Sequence, residues 1–149
     1  MKFNVLNEKS SNLWIDAVQK HDIDLLKFLH NNDINGYSYR VMDIAAAEGD
    51  LNVIKWLHSN RDDGCTKWAM DGAAAWGHMD ILLWLNENRN EGCSVWAMNL
   101  ACLHGNLDIV KWLYNNKLND SSIHEAIDYA IINKHYNIID WLQSQSDFY

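Results

Sequence analysis

The sequence predicts an all-α fold, a solenoid of five stacked repeats that each contain two helices. The same residue types return every 28 positions along the 149-residue chain. No stretch shows the apolar and polar alternation with a period of two that is typical of strands. A fixed period of this length is typical of repeat proteins, in which a helix pair buries its remaining apolar face by stacking on a neighbour.

Several independent columns of residues keep this period. The pair Trp-Leu stands at positions 56–57, 84–85, 112–113 and 141–142, and Phe28-Leu29 occupies the preceding slot. Other columns hold Gly49, Gly77 and Gly105; Ala17, Ala45, Ala73, Ala101 and Ala130; and Ser10, Ser38, Thr66, Ser94 and Ser122. We therefore expect one domain over residues 1–149, with repeats at about 10–37, 38–65, 66–93, 94–121 and 122–149.

Each repeat is predicted to begin with its hydroxyl residue, because serine and threonine accept a hydrogen bond from the first turn of a helix. A first helix of about ten residues follows, as in Trp68–Trp76, and glycine ends it by adopting the left-handed conformation. The second helix has an apolar stripe at helical spacing, seen at Met79, Leu82 and Leu85. A polar connection then leads to the next repeat.

These residues resemble ankyrin repeats. The run 73–82, with an alanine pair, Gly77-His78 and an apolar helix, is similar to that family's pattern. The 28-residue unit resembles a short variant that is abundant in giant DNA viruses and some protists. The usual unit has about 33 residues and starts with Thr-Pro, whereas this chain has no proline. The resemblance implies an ankyrin-like solenoid with hairpin fingers shortened to turns, acting in protein–protein recognition.

The charge excludes several classes of partner, and the cysteine content indicates where in the cell the protein resides. The chain has 12 Lys and Arg against 20 Asp and Glu, so its net charge is −8. An acidic surface repels phosphate, so neither nucleic acid nor membrane is an expected partner. No apolar run approaches the roughly 20 residues of a membrane span, and the N-terminus lacks a secretion signal. Three cysteines without a framework spacing indicate a cytoplasmic protein, in the host cytoplasm if it is viral.

The sequence predicts a protein that is not an enzyme. It contains no nucleophile elbow, phosphate-binding loop or paired-histidine zinc motif, and its carboxylates follow the repeat columns. Cys65 and Cys93 stand one repeat apart, too far for a disulfide, so we expect both to be thiols. His30 and His58 are also one repeat apart, too far for a shared ion. We expect no catalytic residue, no cofactor and no metal.

The first helices are expected to line a shallow concave face that binds a protein partner. One column there is polar at four members and has Trp76 as its fifth, which indicates that Trp76 is exposed. Tryptophan is enriched in binding hot spots, although single exposed apolar residues are also normal. An acidic row with an aromatic centre predicts a partner with a basic or mixed surface. The candidate partner-binding residues are Asp43, Glu48, Trp68, Asp71, Trp76, Trp96, Asn99 and His104.

Two questions stay open at this stage. Trp68 and Trp96 share a column at the start of the first helices, and they either wall the concave face or pack against the shortened turn. The alternative function is self-association, as a homodimer, through apolar residues near the C-terminus. In the other interpretation, the four isoleucines among these residues fill the core of the last helix pair. The residues concerned are Ile131, Ile132, Ile138, Ile139, Phe148 and Tyr149.

Overall fold

The computed structural model, which describes residues 13–117 and 123–146, is a stack of five helix pairs. The first helices are α1 (13–19), α3 (Tyr39–Glu48), α5 (Lys67–Trp76), α7 (Val95–His104) and α9 (Ile123–Ile132). The second helices are α2 (Ile23–Asn31), α4 (Leu51–Asn60), α6 (Met79–Asn88), α8 (Leu107–Lys117) and α10 (Tyr136–Ser146). These two stretches contain no strand, and the connections 61–66 and 89–94 are plain turns. The predicted all-α solenoid is confirmed.

The helix termini follow the sequence rules at several repeats, but the hydroxyl of Ser38, a predicted cap, makes no capping hydrogen bond to α3. The hydroxyls of Thr66 and Ser94 each accept a hydrogen bond from a backbone N–H two residues later, at 3.1 Å. Asp22 and Asp50 cap the second helices in the same way, at 2.9 and 3.0 Å. Ser122, a predicted cap, lies outside the described residues. Capping satisfies backbone donors that the first turn leaves unpaired.

Left-handed residues end the first helices. Gly49, Gly77 and Gly105 have φ angles of 84, 82 and 83°, which cost glycine little because it has no Cβ. In the first and last repeats His21 and Lys134 occupy the same place, with φ angles of 53 and 59°. The terminal repeats therefore keep the backbone turn while changing the residue that makes it.

The core lies between consecutive first helices and between each first helix and its own second helix. Ala45, Ala73 and Ala101 are fully buried there, and their small side chains let the first helices approach closely. Successive first helices pack along their length, whereas successive second helices touch much less. Because the first helices stand closer together, the stack curves toward them, and their outer surfaces form its concave side.

The tryptophans of the second helices pack against the core between repeats. Each is half-buried against the core. Three of them meet a ring of the preceding repeat edge to face: His30 with Trp56 at 5.5 Å, His58 with Trp84 at 5.2 Å, and Tyr114 with Trp141 at 5.2 Å between centroids. Edge-to-face geometry is the favoured arrangement for such ring pairs. These tryptophans therefore belong to the scaffold.

Candidate protein-binding face

The concave side carries a group of exposed rings on the two central first helices, α5 and α7. We call Trp68, Trp76, Trp96 and His104 the concave aromatic patch. Trp68 and Trp76 are 57% and 61% exposed, and Trp96 is 41% exposed. Residues eight apart lie on the same helix face, so each helix contributes one ring near its start and one at its end. Gly72, midway along α5, adds no side chain between Trp68 and Trp76.

Trp76 and His104 are paired in this patch. Their ring centroids are 4.9 Å apart and the planes are tilted by 37°. Nδ1 of His104 donates to the carbonyl oxygen of Leu100 at 2.9 Å, since a carbonyl oxygen only accepts. This bond holds the imidazole against its own helix and beside the indole. The two rings are thereby arranged before any partner arrives.

The position of the second pair of tryptophans is now settled. Trp68 and Trp96 both lie on the surface, and neither is buried beneath a turn. The Trp96 ring also stands 6.1 Å from the ring of Tyr129 on α9, at 70° between the planes. Trp96 therefore extends the patch toward the last repeat, and the interpretation that the two side chains wall the concave face is the one the structure supports.

Two of the predicted contact residues do not lie on the concave surface. Asp71 is 1% exposed and Asn99 is 0% exposed, so placing them on that surface was wrong. Oδ1 of Asp71 accepts the backbone N–H of Ser94 at 2.8 Å, and Oδ2 accepts its hydroxyl at 2.5 Å. Because this column points at the next repeat, the carboxylate holds the neighbouring N-cap in place and is shielded from a partner.

The same arrangement holds for Asp43, which is half-buried. Its carboxylate accepts the N–H of Thr66 at 2.8 Å and the hydroxyl at 2.7 Å. The two amide atoms of Asn99 have no hydrogen-bond partner among the described residues. Asp128, in the last repeat, is exposed. The sequence did contain the signal: a carboxylate precedes the hydroxyl of the next repeat by 23 residues, as in Asp43 and Thr66.

The concave face carries less negative charge than the sequence predicts. With Asp43 and Asp71 tied to hydroxyl residues, the exposed charged groups of the first helices have both signs. They include Arg40, Glu48 and Lys67 around the patch, and Asp128 on α9. Of the predicted polar contact residues, Glu48 is exposed as expected. The face is therefore aromatic with a mixed polar rim, and the predicted acidic row is not present on it.

The buried carboxylates predict a stability that falls as pH rises through mild acid. Burial raises the pKa of Asp43 and Asp71 above the ordinary 3.8, and the bonds from Thr66 and Ser94 offset only part of this. Between 3.8 and the raised pKa, the folded chain holds protons that the unfolded chain has released. The free energy of unfolding therefore decreases as pH rises through this window. We expect Asp43→Asn/Asp71→Asn to flatten the decrease, measured by urea denaturation across pH.

Asparagine suits this column, since Asn99 already occupies it in the next repeat. Asp80→Asn, at an exposed carboxylate on α6, is the matched control and should keep the wild-type slope. A double variant whose stability changes with pH as steeply as wild type would show that other groups govern the dependence.

Side chains at the start of the second helices donate hydrogen bonds to backbone carbonyls of the preceding repeat, and we call these bonds polar ties. Nε2 of His78 donates to the carbonyl of Ala47 in the preceding first helix at 3.0 Å. The Asn106 amide donates to Ala75 at 2.8 Å, and one repeat later the equivalent bond joins His135 and Leu103 at 3.0 Å. Each tie satisfies a carbonyl at the end of a first helix, which has no partner within its own helix. These side chains are structural.

The buried cysteine thiols are poor nucleophiles, because the thiolate is the reactive form. Burial raises the pKa of the Cys65 thiol to about 11 and that of Cys102 to about 12, so both stay protonated at neutral pH. All three cysteines lie within the described residues and form no disulfide. In those same stretches, no three His, Cys, Asp or Glu side chains are grouped to hold a metal ion. None of the helices described is long and apolar enough to cross a bilayer.

The stacked helix pairs define a helical-repeat protein. The chain matches a family model of ankyrin repeats in three copies over residues 70–148, and a second model of ankyrin repeats in many copies over residues 15–58. The protein belongs to the ankyrin repeat family. A comparison with curated proteins found no match. Ankyrin repeats are generally protein–protein interaction modules and typically not enzymes, which agrees with the predicted class of function.

Proposed function

We propose that this protein captures a partner protein on its concave face, with Trp76 and His104 at the centre of the contact. The observation that supports this most is the pairing of an exposed indole with an imidazole that is already held in place. Rings fixed before binding lose little conformational freedom when a partner arrives, so more of the contact energy appears as affinity.

Trp68 and Trp96, exposed near the start of the same two helices, add apolar surface to this face. Exposed apolar groups of this kind, surrounded by polar residues, typically mark protein interaction sites. Glu48 beside the patch, with Arg40 and Lys67 nearby, supplies a rim of both signs. The proposed partner therefore offers an apolar side chain to the rings and mixed charge around it, rather than a purely basic surface.

The test is affinity capture followed by calorimetry with the identified partner, using wild type beside Trp76→Ala/His104→Ala. We expect the double variant to lose at least about 2 kcal/mol of binding free energy, or roughly 30-fold in affinity. Truncating a hot-spot side chain to alanine typically costs at least that much. Circular dichroism should show an unchanged helix content, since both side chains are exposed.

Leu83→Ala/Lys55→Ala is the matched control, because both residues are exposed on second helices, away from the patch. It should bind like wild type. Binding by Trp76→Ala/His104→Ala within about 0.5 kcal/mol of wild type would exclude the concave aromatic patch as the contact site. Loss of binding in the control variant alone would place the contact site on the second helices.

A second candidate function, self-association, is supported by the last repeat. Ile138 is buried and Ile139 is half-buried, so these two fill the core of the last helix pair. Ile131 and Ile132 are exposed, as is Tyr136 at the start of α10. Phe148 and Tyr149, also named in this hypothesis, lie outside the described residues. The exposed members leave an apolar surface at the C-terminal end of the stack.

A further inference from the structure

The first and last described repeats expose residues at positions that the interior repeats bury. Ile131 is 53% exposed, whereas Ala46, Ala74 and Cys102 at the equivalent positions are fully buried by the repeat that follows. Beside it, Ile132 and Tyr136 are exposed as well. We call Asp128, Ile131, Ile132, Lys134 and Tyr136 the C-terminal end face. It is the same surface that each interior repeat offers to its successor.

The first repeat exposes apolar residues on the opposite side, the side that in later repeats packs against the repeat before. Leu13 is exposed, whereas Val41, Ala69 and Ala97 at the equivalent positions are buried by the repeat before them. Phe28 is also exposed, and it aligns with the tryptophans whose rings meet the preceding repeat. We call Leu13, Asp22 and Phe28 the N-terminal end face. The described first and last repeats therefore each present an apolar half of an ordinary repeat–repeat junction.

A rule of pairing at those junctions connects the two ends. The residue that ends a first helix lies against the residue that begins the second helix of the next repeat. Where the first is glycine, the second is histidine or asparagine: a Cβ on Gly49 would lie 2.5 Å from the His78 ring, and one on Gly77 would lie 3.1 Å from Asn106. The side chain at the second position thus fills the space that glycine leaves.

The one junction of described residues without glycine uses a hydrogen bond between two side chains instead. His21 ends the first helix of its repeat, and its Nδ1 donates to Oδ2 of Asp50 in the next repeat at 3.0 Å. Oδ1 of Asp50 meanwhile caps α4 by accepting the N–H of Val53. A basic residue at the first position is therefore matched by an aspartate at the second.

The end faces contain the two halves of a junction of this kind, a basic donor on one and an aspartate on the other. Lys134 is the exposed basic residue that ends the first helix of the last repeat. Asp22 is the exposed aspartate that begins the second helix of the first repeat, and only its Oδ1 is used in capping α2. If the last repeat of one copy met the first repeat of another in the ordinary register, Lys134 would face Asp22 as His21 faces Asp50.

We infer that copies of this protein stack head to tail, so that the C-terminal end face of one copy seats the N-terminal end face of the next and continues the solenoid. The inference deepens the second candidate function and does not involve the concave aromatic patch. Such a contact joins two different surfaces, so it adds copies in series instead of stopping at a symmetric pair. Apolar end residues supply the area, and Lys134 with Asp22 sets the register.

The experiment is sedimentation velocity at increasing concentrations of the whole chain, for wild type, Lys134→Glu and Asp22→Lys. Wild type should give a mean mass that rises past that of a dimer. Each reversal places like charges at the junction and should weaken association about tenfold or more. Mixing the two variants should restore association, because K134E and D22K then face each other with opposite charges at every junction.

Asp80→Lys and Lys55→Glu make the same charge changes on exposed residues in the middle of the stack, and they should associate like wild type. If D22K does not fold because α2 loses its cap, Asp22→Asn keeps the cap and takes its place, and K134E should then bind D22N more tightly than itself. A monomer at every concentration would overturn self-association altogether. A mass that stops at a dimer, or a mixture that fails to restore assembly, would overturn the head-to-tail geometry alone.

Discussion

Replacing Trp14 with alanine is expected to lower the free energy of unfolding by about 3 to 5 kcal/mol, as large truncations in a core do. The Trp14 side chain is 0% exposed. Its Nε1 donates to the carbonyl of Ile34 at 3.1 Å, and its ring meets Tyr37 edge to face at 5.1 Å. The substitution would leave a cavity and an unpaired carbonyl in the first repeat. Urea denaturation followed by circular dichroism measures the loss.

The matched control makes the same substitution at an exposed tryptophan of the concave face. Trp76→Ala should change the free energy of unfolding by less than about 1 kcal/mol, because an exposed side chain has little packing to lose. The pair of variants separates tryptophans that hold the fold from tryptophans that are available to a partner. Equal losses at both positions would mean that Trp76 is part of the scaffold, and the proposed binding role would lose its support.

Replacing Gly49 with alanine is expected to cost about 2 to 4 kcal/mol of stability. The residue has a φ angle of 84°, which disfavours any side chain by about 1 to 2 kcal/mol. A Cβ there would also lie 2.5 Å from Cε1 of His78. The imidazole would have to move, and its bond to the carbonyl of Ala47 would be lost at a further cost of about 1 to 2 kcal/mol.

Gly92→Ala distinguishes these two contributions. Its φ angle is 70°, but a Cβ there would meet nothing within 4 Å. Denaturant unfolding should therefore show only the cost of a side chain in the left-handed conformation, about 1 to 2 kcal/mol of unfolding free energy. In a His78→Ala background, Gly49→Ala should then lose no more than Gly92→Ala does. If the two glycines are equally sensitive in the wild-type chain, the tie between His78 and Ala47 contributes nothing measurable.

The repeated columns of this protein differ in residue type according to what they face. Columns that face a neighbouring repeat carry alanine, buried carboxylates and the polar ties. The column that faces solvent on the concave side varies freely in type and contains Trp76 and His104. Variation is tolerated there because no neighbouring helix packs on it. Specificity for a partner can therefore change without changing the scaffold.

Much of this architecture could be predicted from local rules. The 28-residue period, the caps such as Asp50 and the glycines that end first helices all depend on residues within one repeat. Local hydrogen bonding and backbone sterics act over a few residues, so they can be recognised in a linear sequence. The exposure of Trp76 was predictable for a related reason, since its column is polar in every other repeat.

The location of the remaining candidates depended on contacts between repeats. Asp71 and Asn99 are polar and lie in the same first helices as the patch, yet the next repeat covers both of them. Trp68 and Trp96 were equally compatible with the turn and with the surface until their exposure was known. Whether a polar side chain faces water or a partner 23 residues away is a matter of helix rotation and stacking distance. The amino-acid sequence thus specified the repeat and its helix ends, whereas the packing of one repeat on the next decided which residues are available to bind, because burial is a property of neighbours that are distant along the chain.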